Sequence, residues 1–168
     1  MKPALLAFDS CTAGHLLFPK PKPEEIELWR RVQQLRSLGR TVRWALPAPV
    51  VSELLAAPHG ASRATMQRAI EEGFDVLAFD YDAALVAAEL WAHVVGGKRG
   101  QRLKPRPCLK LDTEIVACAI RHGVMGLCSV DGQVPTIASR VKHTVKVGPP
   151  EDFLKGITLD LQRLIVPE

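Results

Sequence analysis

The stretch Leu109-Lys-Leu-Asp112-Thr-Glu-Ile-Val-Ala-Cys-Ala-Ile-Arg-His-Gly123-Val-Met-Gly-Leu-Cys-Ser129-Val-Asp131 reads as a helix, a glycine stop and a buried strand. The pattern predicts the helix over residues 112–122 and the strand over 124–129. A carboxylate stands at each end. Asp112 is placed where the helix begins, and Asp131 just past the strand. One acid at a helix start is ordinarily a cap or a dipole partner. Two acids flanking a helix–strand unit can face one pocket if other acids join them.

The rest of the chain sets the frame. Its 168 residues suffice for one well-buried domain, so a single domain over 1–168 is expected. The hydrophobic share is 47% and the charged share 24%, an ordinary globular balance. A net charge of +4 is compatible with a polyanionic partner without requiring one. The four cysteines, Cys11, Cys108, Cys118 and Cys128, contain no C-x-x-C pair, which argues against structural zinc. Cys118 and Cys128 read as small core residues. The opening apolar run is short and broken by Asp9, so neither a signal peptide nor a membrane span is expected, and a cytoplasmic location is the expectation.

Working outward, residues 3–8 form a short apolar run suited to a strand buried on both faces. Pro19-Lys-Pro-Lys-Pro23 is a stiff connection. Residues 24–38 predict an amphipathic helix with Ile26, Trp29, Val32, Leu35 and Leu38 on one side. A second strand is expected over 41–46, helices over 50–57 and 61–72, and a third strand over 74–79. A helix follows over 80–95, then a loop over 96–110 broken by glycine and proline. After the central unit come a short helix near 136–141, a fifth strand over 144–147 and a C-terminal helix from 151. Strands alternating with helices predict one α/β domain with a parallel sheet.

In an open parallel sheet, ligands gather beyond the carboxyl ends of the strands. Asp9 ends the first strand and Asp131 follows the fourth. Glu53 lies one turn into the helix after the second strand, and Asp112 starts the helix leading back to the sheet. If strands one and four are neighbours, these acids share one rim. Four carboxylates there would repel unless a divalent cation neutralised them or some took up protons. Hard oxygen donors suit Mg²⁺ or Mn²⁺, the ions of metal-assisted phosphodiester hydrolysis.

Phe8-Asp9-Ser10 after a first strand resembles the opening motif of the PIN-domain ribonucleases. Pro49-Val-Val-Ser-Glu53-Leu resembles the second motif, Asp112 to Gly123 the third, and Ser129-Val-Asp131 the fourth. Pro150-Glu-Asp-Phe-Leu154 resembles a common family ending. The resemblance is to the VapC-like toxin type and covers most of the chain. It implies a three-layer α/β/α sandwich around a central parallel sheet of about five strands. It also implies Mg²⁺- or Mn²⁺-dependent endoribonuclease activity, with Asp9, Glu53, Asp112 and Asp131 as catalytic and metal-binding residues. An antitoxin partner and a homodimer are further implications. Two departures stand out. Cys11 replaces the asparagine common in the family, and the last motif lacks the second acid or asparagine of many relatives.

Each acid also has a plainer reading. Asp9 is a turn residue, Glu53 an exposed helix charge, Asp112 an N-cap, and Asp131 part of an Asp-Gly turn with Gly132. Their joint placement favours a common site. Ser10 and Ser129 are candidates to position water or phosphate, with local backbone bonding as the equal alternative. Glu114, Asp80, Asp82 and Glu89 read as solvated charges. The 96–110 loop carries Lys98, Arg99, Arg102, Lys104, Arg106 and Lys110 without an acid, a set able to hold an RNA backbone by charge. No aromatic residue is interleaved there, so base stacking is not indicated. A competing expectation is a PIN-like module of weak or no activity that binds RNA or a protein. Aspartyl-nucleophile phosphatases need an acid where Cys11 stands, and receiver domains need a lysine after a late strand, so both are disfavoured.

Overall fold

The computed structural model describes residues 4–17, 26–27, 30, 42–56, 63–95, 106–140 and 145–153. Of the helix expected over 24–38, only residues 26, 27 and 30 fall within this set, and they are helical. The fold runs β1 (Ala4–Phe8), α1 (Ser10–Leu17), β2 (Val42–Pro47), α2 (Ala48–Ala56), α3 (Arg63–Gly73) and β3 (Asp75–Leu77). It continues α4 (Tyr81–Val95), α5 (Arg106–Arg121), β4 (Gly126–Cys128), α6 (Gln133–Ala138) and β5 (Val147–Gly148). Residues 150–153 form a further helical turn.

The five strands make one parallel sheet in the order β3-β2-β1-β4-β5. The chain starts in the middle, adds β2 and β3 on one side, then crosses back to place β4 beside β1. Leu6 pairs with Gly126, Ala7 with Leu127 and Phe8 with Cys128. The order of addition therefore reverses between β1 and β4, the position where a parallel sheet opens a crevice. Helices α1, α2 and α3 pack together, as do α4, α5 and α6. Right-handed crossovers in opposite directions put these groups on opposite faces, which gives the three-layer α/β/α sandwich. Helix α2 also touches α5.

The central strands are short because they are buried on both sides. Leu6, Ala7 and Phe8 in β1 and Leu127 and Cys128 in β4 are fully buried. The Phe8 ring meets Trp44 edge-on, with centroids 6.1 Å apart, and Phe74 at 6.4 Å. Several elements differ from the sequence expectation: α6 begins at Gln133 rather than near 136, β5 covers Val147–Gly148 rather than 144–147, and α1 and α5 differ more. Helix α1, which no apolar pattern announces, begins at Ser10 directly after Asp9, whose carboxylate caps it by accepting the Thr12 N–H at 2.8 Å. Helix α5 begins at Arg106, not at Asp112. Pro107 is tolerated there because a first-turn N–H has no intrahelical acceptor in any case.

Candidate active site

The carboxyl edge of β1 and β4 holds the centre of the site. Asp9 is buried, only 5% exposed, directly after β1. One carboxylate oxygen accepts the Thr12 N–H at 2.8 Å, and the other accepts the Ser129 hydroxyl at 2.5 Å. The Ser129 oxygen in turn accepts the Asp131 N–H at 3.1 Å. Asp131 bends back to accept the Gln133 N–H at 3.0 Å, an Asx turn that leads into α6. The backbone supports the arrangement from both sides. The Asp9 N–H donates to the Cys128 carbonyl at 3.1 Å, and the Ser129 N–H donates to the Gly148 carbonyl at 2.9 Å. Two acids far apart in sequence are thus linked through one hydroxyl.

Asp131-Gly132 forms the expected turn, with the Val134 N–H donating to the Asp131 carbonyl at 3.2 Å, and the turn leads into α6. Of the two roles expected of Ser129, the structure shows the backbone bonding. It also orients a carboxylate. Ser10 is half-buried at the first position of α1.

Glu53 and Asp112 come from the flanking helices. Glu53 is half-buried on the side of α2 that carries the buried Pro49, Val50 and Leu54. Those are its i−4, i−3 and i+1 neighbours, so it does not sit on the solvated face. Asp112 is half-buried in the second turn of α5, three and four residues from the buried Leu109 and Val116. Its expected role as the first-turn cap is therefore corrected, because α5 starts a turn and a half earlier. α2 and α5 are packed neighbours, which brings the two acid-bearing helices together.

The donors are carboxylate and hydroxyl oxygens, which match a hard divalent cation in kind. Each Asp9 oxygen accepts one hydrogen and retains a further lone pair. Among the described residues, no group of three or more His, Cys, Asp or Glu side chains is gathered at metal-holding spacing. The fit lies in donor chemistry, not in a closed cage. Thr12, fully buried one turn after Asp9, has a hydroxyl without a hydrogen-bond partner among the described residues.

A buried thiol, Cys128, ends β4 beside the rim. Burial pushes the Cys128 thiol well above the ordinary thiol range, with smaller contributions from the charges of Asp9, Glu151 and Asp152. Burial also pushes Cys118 up to about 12. Cys11 is exposed.

The basic loop divides. Lys98, Arg99, Arg102 and Lys104 lie outside the described residues. Arg106 opens α5. Lys110 is helical, not in a loop, and pairs loosely with Glu114 at 3.9 Å. Glu114, expected to be solvated, has a side chain only 25% exposed. Asp80 and Asp82, also expected to be solvated, share Arg121 at 3.5 and 2.8 Å. No sequence signal could identify these partners, which lie about forty residues apart.

No family model and no curated protein matches the sequence of this chain. Solved structures do match. One is the crystal structure of VapBC2 from Rickettsia felis bound to a DNA fragment from the complex's own promoter. Its chain aligns with a TM-score of 0.57 at 12% identity, over 86% of this chain and 98% of that one. Another is DNA-bound VapBC from Salmonella typhimurium, with a TM-score of 0.55 at 16% identity, over 88% of this chain and 98% of that one. At such identities the likeness establishes the fold alone: this chain has a VapC-like PIN-domain fold.

Proposed function

We propose that the chain is a metal-dependent endoribonuclease cleaving RNA phosphodiester bonds, and the toxin of a toxin–antitoxin pair. The observation that carries this reading is the Asp9–Ser129–Asp131 chain of hydrogen bonds at the β1–β4 crevice. Glu53 and Asp112 stand on the two adjoining helices. Asp9, Asp112 and Asp131, with Glu53 directly or through water, would hold Mg²⁺ or Mn²⁺. Such an ion supplies charge neutralisation at the scissile phosphate and an acidified water. The protein's own part is positional. Ser129 fixes the Asp9 carboxylate, and the Gln133 N–H fixes Asp131. Lys110 and the basic residues before α5 would hold the phosphate backbone without reading sequence. The likeness to chains of VapBC complexes supports an antitoxin as partner, and the family resemblance supports a homodimer.

The test is RNA cleavage by the purified chain with Mg²⁺ or Mn²⁺. Cleavage is expected to vanish with chelator, and in Asp9→Asn and Asp112→Asn. Undiminished cleavage in either variant would refute the assignment. A second reading, a PIN-like module that binds RNA or a protein without turnover, is favoured by one observation. Both Asp9 oxygens already serve as acceptors within the protein. RNA binding with no cleavage, and no Mn²⁺ uptake in titration calorimetry, would select it.

A further inference from the structure

A cavity of about 290 Å³ opens between α4 and α5, on the far side of α5 from Asp112. It is lined by Phe79 and Trp91 and by the small side chains of Ala84, Ala87 and Ala88. Lys110 and Glu114 form its α5 side. Alanines line its α4 side, where larger side chains would occupy the space. Phe79 is 38% exposed, so an aromatic face is open to solvent.

The chemistry of the walls is mixed in a specific way. The Lys110 side chain is 71% exposed, and that of Glu114 25%. Their 3.9 Å contact is a loose i,i+4 pair, which holds neither group firmly. A purely aliphatic anchor would desolvate the Glu114 carboxylate without replacing its hydrogen bonds, which is unfavourable. A flat ring with an amino group on its edge and an anion attached satisfies every wall. The rings offer stacking, the carboxylate accepts the amino hydrogens, and the ammonium meets the anion. Thr113 offers little competition, because its hydroxyl donates to the Leu109 carbonyl at 2.7 Å.

We propose that this cavity takes a base of the RNA strand flanking the scissile bond. The base packs against Phe79 and Trp91, its exocyclic amino group lies on Glu114, and its phosphate lies on Lys110. The proposal rests on the reading of the chain as acting on RNA. The cavity and Asp112 lie on opposite sides of α5, about 10 Å apart across the helix. That distance places a neighbouring nucleotide there rather than the one being cut. Glu114 then selects bases that carry an exocyclic amino group, such as adenine and cytosine, over uracil, which has none.

The experiment uses the full chain with Trp29→Phe and Trp44→Phe, which leaves Trp91 as the only indole. Hexamers of rA, rC and rU are titrated in chelator, and Trp91 fluorescence is read. Saturable quenching is expected, with rA and rC binding roughly tenfold tighter than rU. Glu114→Gln should level the three, since an amide serves amino and carbonyl edges alike. Ala88→Phe, which fills the cavity, should remove the quenching. If the tryptophan variants fail to fold, the Trp91 indole resonance of the natural chain gives the same reading. Equal affinity for rU, unchanged preference in Glu114→Gln, or no quenching by any hexamer overturns the proposal. The last outcome is also what a cavity built for a protein side chain would produce. Quenching without metal-dependent cleavage would refute the nuclease reading and leave the base site standing. Cleavage without quenching would do the reverse.

Discussion

The Ser129 hydroxyl donates to the Asp9 carboxylate across 2.5 Å, joining residues 120 positions apart at the β1–β4 crevice. The same oxygen accepts the Asp131 N–H, so a single side chain sets the position of two acids.

Ser129→Ala removes this link without changing the strand. Asp9 is only 5% exposed, so water cannot readily replace the lost donor. The expected cost is about 1–3 kcal/mol of stability, measured by urea unfolding. Ser129→Thr keeps the hydroxyl and should retain most of the stability. Loss of cleavage in the alanine variant, with recovery in the threonine variant, would mark Ser129 as a positioning residue.

Gly126 in β4 leaves room for the ring of Phe153. A methyl group there would lie against Cε1 of that ring and within 2.8 Å of Cζ. Phe153 is 1% exposed, so the ring has nowhere to turn. Gly126→Ala should therefore cost about 1–3 kcal/mol by overpacking. Phe153→Leu alone should also destabilise, by leaving a void. The double variant should recover part of both losses, a positive coupling in a thermal-unfolding cycle. Strict additivity would show that the two residues do not share the space.

The fold and half of the site can be read from residue order, for identifiable reasons. Buried central strands announce themselves as short apolar runs, and the acids that end them fall at the rim by topology. Asp9 and Asp131 are therefore placed by strand ends alone. Asp112 is placed on the right helix but at the wrong turn, because Pro105 and Pro107 look like breaks and a first-turn proline is not one. Helix α1 is invisible to apolar periodicity, since Ser10, Cys11 and Thr12 carry no such pattern. Glu114 looks solvated because its enclosure comes from tertiary packing, although its i,i+4 partner Lys110 is given by local spacing. Asp80 looks solvated because its partner Arg121 comes from another helix.

The corner between β3 and α4 is held by Asp80. Its carboxylate accepts the Ala83 N–H at 2.8 Å and lies 3.5 Å from Arg121. The amide bond chiefly, then the charges of Arg121 and His122, hold its pKa below the ordinary value of 3.8. A depressed pKa favours the folded state above the unfolded value, and the contribution is lost as pH falls through the folded value. Carbon-detected NMR titration should show Asp80 titrating below 3.8. Arg121→Ala should move it part of the way back, and an unchanged midpoint would remove Arg121 as a cause. Ala83→Pro should move it further, because it deletes the donated N–H.

At the alkaline end the buried thiols set the expectation. Burial raises Cys118 from 9.0 to about 12, and Cys128 is raised in the same direction. Between those values the unfolded chain loses thiol protons that the folded chain keeps, so stability falls as pH rises above 9. Below 9 both states hold the proton and no pH dependence arises from these groups. Cys118→Ala and Cys128→Ala should each flatten the alkaline slope while lowering stability at neutral pH through the lost packing. Thiol labelling offers an independent check at pH 8. Cys11 and Cys108 are exposed and should react at once, whereas Cys118 and Cys128 should react only as the chain opens. Four equally fast thiols would contradict the burial of β4 beside Asp9, and with it the rigid strand end on which the Ser129 link depends.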